Sequence, residues 1–216
     1  MVTRVAILVG LVCAAPGALA AACPSNHLKV AEISVDSTLP TDERHFSDAY
    51  RDADAYYSVP GATLGMQFSS VGQVPNSATA IIEDDFKVVG VPDGAQVPLV
   101  AHLVVTFHAF TQPGIGSYVT THLEDALGHD VTVSNPNQDP GTYDLTLPVQ
   151  AVGGQTFRLH FEVTGFGTGD PGDASAAFSF ARIPPGVAVT SCQGYISDPA
   201  VPAHGFTWGR VRTLYR

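Results

Sequence analysis

The chain has 216 residues and a formal net charge of −10, from 10 Lys and Arg against 20 Asp and Glu. That length suits one domain with a sizeable core, and an acidic surface speaks against nucleic acid, whose phosphates require a basic footprint. Gly (21) and Pro (16) punctuate the whole chain and no apolar helical pattern persists for three turns, so a helical bundle is excluded.

Residues 1–4 carry one positive charge, residues 5–12 are unbroken apolar, and Ala18-Leu19-Ala20 offers small residues to a signal peptidase. Residues 1–20 are expected to be a Sec-type signal peptide, because the apolar run is far shorter than the ~20 residues of a membrane span. Residues 21–216 are then expected to form a single exported domain with no transmembrane segment. Of the three cysteines, Cys13 lies in the leader, and Cys23 and Cys192 remain. An even pair in an oxidising compartment predicts a disulfide. The competing expectation is a lipoprotein acylated at Cys23, although Ala20 stands where that signal usually has Leu.

Residues 28–35 read as a strand. Residues 41–57 are acidic and rich in Ala, with Asp42, Glu43, Asp48, Asp52 and Asp54 close together; this segment is expected to be irregular or a short helix. From residue 62 onward, short alternating runs are split by turn residues. Weaker strands are predicted over residues 62–68, 78–91, 118–123, 131–133, 186–190 and 205–214. The clearest strand covers residues 99–110, with Leu99, Ala101, Leu103, Val105 and Phe107 on one face and His102 and His108 on the other. In residues 157–163, Phe157, Leu159, Phe161 and Val163 point one way and Arg158, His160 and Glu162 the other. Tyr143, Leu145, Leu147 and Val149 make a third inward set, and Ala176, Phe178 and Phe180 a fourth. The expected fold is all-β: a two-sheet antiparallel β-sandwich with jelly-roll-like or Greek-key connections.

Two stretches carry a resemblance. Residues 86–110 run through Gly90-Val91-Pro92-Asp93-Gly94 into a long alternating strand, and residues 174–195 run from small and aromatic residues through Pro184-Pro185-Gly186 to Ser191 and Gly194. Over residues 62–195 the chain resembles uncharacterised bacterial secreted β-sandwich proteins of the PEP-CTERM-associated type. The resemblance implies an exported surface or matrix protein and brings no catalytic residues with it. After Trp208 the sequence shows neither the sorting motif nor an apolar tail, so free secretion is the expectation.

Motifs for chemistry are sparse. There is no Gly-x-Ser-x-Gly elbow. Gly165-Phe166-Gly167-Thr168-Gly169 lacks the ending of a phosphate loop and reads as a hairpin loop. His122 and Glu124 stand two apart on one strand face, and zinc chelation there would need His102 or His160 from a neighbouring strand. Calcium is the preferred candidate ion for an extracellular protein, with oxygens from Asn135, Asn137, Asp139 and Asp144, from Asp170 and Asp173, or from Glu83, Asp84 and Asp85; no cofactor is predicted. A carboxylate pair for glycoside hydrolysis would set Glu124 against Glu162 or Glu83. Exposed aromatics for a glycan would come from Trp208, Tyr195, Tyr118, Phe110 or Tyr215. These residues point first to a non-enzymatic structural or binding protein at or beyond the cell surface. The alternatives are a carbohydrate-binding module and a metal-dependent or carboxylate-based hydrolase.

Overall fold

The computed structural model describes residues 22–108, 118–135, 140–169 and 171–197. Thirteen strands and no helix occur among them. Two hairpins come first: β1 (Asn26–Val30) with β2 (Ile33–Ser37), then β3 (Thr41–Ser47) with β4 (Arg51–Ser58). The longer strands follow as β5 (Thr63–Ser70), β6 (Pro75–Val89), β7 (Gln96–Phe107) and β8 (Tyr118–Asp125). The chain continues through β9 (Asp130–Asn135), β10 (Gly141–Val152), β11 (Thr156–Thr168), β12 (Gly172–Ala181) and β13 (Ala188–Ser191).

All pairings are antiparallel, and they build two sheets. One has the order β2-β1-β6-β11-β8-β9, with β13 also on β6; the other has the order β10-β7-β12-β5-β4-β3. Strands β5 to β12 distribute between the sheets in jelly-roll order, one of the two connection patterns expected. Each sheet is then widened by one N-terminal hairpin. Strand β6 is long enough to hold β1 along its first half and β13 along its second. Pro148 lies on the edge strand β10, a position where a sheet tolerates a residue without an N–H.

The core lies between the sheets. Leu99, Ala101, Leu103, Val105 and Phe107 of β7 are buried, as are Leu159, Phe161 and Val163 of β11. Phe161 and Phe178 stack across the gap with ring centroids 4.5 Å apart, and Phe86 meets Phe161 and Phe178 edge-on. Burying each such ring contributes roughly 1.5–3 kcal/mol.

Three expectations need correction. Residues 41–57 are neither helical nor irregular but form the β3–β4 hairpin, in which Ala53, Ala55 and Tyr57 alternate inward with Asp52, Asp54 and Tyr56 outward. Residues 28–35 are not one strand: the chain reverses at Ala31, whose φ of 51° lies in the left-handed region. Gly165–Thr168 is not a loop but the end of β11. Gly165 is needed there because a Cβ would run into Met66 at 2.6 Å and into Phe68. The expected leader over residues 1–20 and the strand over residues 205–214 lie outside the described residues.

Cys23 and Cys192 are bonded, with Cα atoms 5.6 Å apart across 169 residues of sequence. The bond occupies the sulfur that acylation of Cys23 would require. Beside it, the Asn26 amide donates to the Leu39 carbonyl, the Gln193 amide donates to the Pro24 carbonyl, and the Glu83 N–H donates to Asn26 Oδ1. Asp84 lies on the inward face of β6 and is fully buried. It accepts from the N–H groups of Asp85 and Gln193. Burial pushes its carboxyl above the ordinary range, opposed by Ser191 and by those N–H donors.

Candidate functional site

The outward face of the β6-β11-β8-β9 region gathers the polar and aromatic side chains in rows set by register. Tyr118 stands opposite Phe166 in the first row, with ring centroids 6.0 Å apart. They are 45% and 38% exposed, unusual for neighbouring aromatics on a sheet. The next row is hydroxylated: Ser134, Thr120, Thr164 and Thr79 lie side by side. Oγ atoms are 3.2 Å apart between Thr120 and Ser134, and 2.6 Å apart between Thr79 and Thr164.

The following two rows are ionisable. His122 faces Glu162 across the β8–β11 pair. Asp130, Glu124, His160 and Glu83 make the next row in strand order. The rings of His122 and His160 are 5.8 Å apart, and His160 Nε2 is 3.3 Å from a Glu162 carboxylate oxygen. His122 Nε2 is shielded from solvent and has no hydrogen-bond partner among the described residues. The nearest carboxylates to that nitrogen are Asp130 at 3.6 Å and Glu124 at 3.8 Å. The last row holds Arg158, which donates to Asp85 and Glu83. These carboxylates raise the affinity of the guanidinium for its proton.

Of the four metal candidates, the fold brings His122, Glu124 and His160 to one patch. His102 is on β7, in the opposite sheet, 3.2 Å from Asp144; it takes no part. Among the described residues, the expected calcium ligands have other surroundings. Asp84 points into the core, Glu83 and Asp85 are engaged by Arg158, and Asp144 lies beside His102. Asp173 is half-buried on β12, and burial raises its carboxyl while His108 nearby lowers it less. Asn137, Asp139 and Asp170, together with the side chain of Asn135, lie outside the described residues. Glu124 and Glu162 do not face each other, because each is opposite a histidine on the partner strand.

Tyr195 is 7% exposed, with its ring 5.0 Å from Phe178 and 5.7 Å from Phe180. Burial pushes its phenol up to about 12. It is a core residue rather than a ligand platform. Trp208, Phe110 and Tyr215 lie outside the described residues.

The hydroxyl row escapes the sequence reading, and so do Phe166 and Asp130 as members of the patch. Phe166 is hidden by the two glycines beside it. Continuing the alternation of β11 from Phe157 finds it, since Gly165 and Gly167 then fall on inward positions and Phe166 outward. Asp130 joins through the β8–β9 hairpin, a register that spacing alone does not give.

No protein-family profile and no curated protein matches the chain. Among solved structures, the chain is similar to the carbohydrate-binding module TmCBM61 in complex with beta-1,4-galactotriose. The TM-score is 0.29 and the identity 13%, over 66% of this chain and 88% of that one.

Proposed function

We propose that the protein is an exported β-sandwich that acts by binding, in a structural or matrix role at or beyond the cell surface, and that its ligand is a glycan. The observation that supports this most directly is the exposed Tyr118–Phe166 pair next to a row of hydroxyls. Apolar sugar faces pack on aromatic rings, and the sugar hydroxyls find donors and acceptors in Thr120, Thr164 and Thr79. Export is supported by the Cys23–Cys192 bond, a form of cross-link that persists in oxidising compartments. The relation to PEP-CTERM-associated surface proteins belongs to this reading and fits a matrix role.

The test is glycan-array binding of the protein recovered from culture medium. Binding is expected for the native chain, with at least a tenfold loss for Phe166→Ala and for Tyr118→Ala, the equivalent of about 1.4 kcal/mol. Absence of any retained glycan, or binding undiminished in both variants, overturns the assignment. Both side chains point outward, so the variants are expected to keep the fold.

A further inference from the structure

Two strand rows beyond the aromatic pair, three ligand-bearing atoms converge. One ring nitrogen of His122, one of His160 and one carboxylate oxygen of Glu162 all lie within 4.8 Å of one another. We propose that this patch binds a single divalent cation of the zinc type. It is distinct from glycan recognition and does not depend on it.

The register explains why the three meet. His122 on β8 is directly opposite Glu162 on β11, and His160 is two residues before Glu162 on the same outward face. Directly opposed side chains in an antiparallel pair have Cβ atoms about 4.5–5.5 Å apart, which leaves room for an ion between their tips. Tetrahedral zinc with nitrogen and oxygen ligands at about 2.0–2.2 Å sets its donors roughly 3.3–3.6 Å apart. His160 and Glu162 already stand at 3.3 Å, and the His122 nitrogen lies within 4.8 Å of both ligand atoms.

The donor set selects the ion. Two imidazoles with one carboxylate suit zinc and its neighbours, whereas calcium and magnesium take oxygen almost exclusively. Charge points the same way. Glu124, Asp130 and Glu83 border the three ligands, and the cation facing this row, Arg158, is spent on Glu83 and Asp85. A bound dication offsets that excess.

The state of His122 gives a further reason. Its Nε2 is shielded and lacks a hydrogen bond, a costly condition for a polar atom. Ligation through Nε2 removes that cost, because the ion then satisfies its lone pair. All three ligands are half-buried rather than enclosed, so the fourth, non-protein position is left to water.

The experiment is a titration of the untagged full chain with zinc chloride, followed by calorimetry and by the thermal midpoint. One zinc per chain and a rise in midpoint are expected. His122→Ala and His160→Ala should each weaken binding at least tenfold while leaving the metal-free midpoint close to that of the native chain. His45→Ala, in the exposed group His45, Asp52 and Asp54, serves as the control and should bind as the native chain does. Cobalt should give the visible bands of a tetrahedral nitrogen and oxygen site, absent in His160→Ala. No saturable binding, binding unaffected by both histidine variants, or an equal response to calcium would overturn the proposal. Phe166→Ala should keep zinc, so a failure of glycan binding and a failure of metal binding are told apart.

Discussion

The two N-terminal hairpins do the same architectural job by different physics. Each widens one sheet of the jelly roll, β1–β2 beside β6 and β3–β4 beside β5. The first is fastened by the Cys23–Cys192 bond and by buried polar groups, Asn26 and Gln193 among them, that are fully hydrogen-bonded. The second packs Ala53, Ala55 and Tyr57 inward, but its outer strand β3 has no fully buried residue. That strand is held across the register by exposed pairs such as His45 with Asp54, and Arg51 ties the turn to Asp48. The first hairpin has an exposed pair as well, His27 with Asp36. What separates the two is therefore chiefly the covalent attachment, since the second hairpin also has a buried polar contact, from the Asn76 amide to the Asp52 carbonyl. Buried, satisfied polar groups and a long cross-link contribute more to stability than exposed ion pairs do.

That contrast is open to direct attack. The largest effect is expected from Cys23→Ser with Cys192→Ser, a loss of about 4–5 kcal/mol read from urea unfolding, on the chain-entropy view of a loop this long. A loss under about 1 kcal/mol would put the two hairpins on an equal footing. Next comes Asp84→Ala, which strands the N–H groups of Asp85 and Gln193 and should cost about 2 kcal/mol. Burial raises the Asp84 carboxyl, so the folded state holds that proton more tightly than the unfolded chain. Its contribution is complete below the unfolded value and is lost as pH rises through the raised one. The deficit of Asp84→Ala should accordingly be larger at pH 4 than at pH 7.

The smallest effect belongs to the second hairpin. The hydrogen bond to Asp54 raises His45 above 6.5. Its stabilisation is therefore present below pH 6.5 and fades as pH climbs through the raised value. His45→Gln should lower stability by no more than about 0.3 kcal/mol at pH 5.5 and by nothing at pH 8.5, because the pair is screened by solvent. A larger change in thermal midpoint would mean that the exposed pairs do more than the contrast allows.

Strands β7, β10, β11 and β12 are legible in the sequence because bulky apolar residues recur at every second position, and a two-residue period has few other causes. Hairpin β3–β4 follows the same period, yet its inward residues are mainly Ala53 and Ala55. Alanine carries a weak burial signal and a high helix propensity, so the acidic neighbours set the impression. Ala31 hides the β1–β2 turn for a related reason, since a left-handed residue is usually Gly or Asn. In the patch, the shared face of His122 and Glu124 follows from their spacing. The arrival of His160 and the departure of His102 depend on which sheet each strand joins, and that is decided by long-range pairing.

The Cys23–Cys192 bond also has a temporal meaning. Its two sulfurs belong to the first and last parts of the described chain to leave the ribosome, separated by 169 residues of sequence. Oxidation therefore waits until nearly all of the described chain has been made, and the acquisition of resistance to thiol-alkylating reagents by this pair would date the closure of that loop in each molecule.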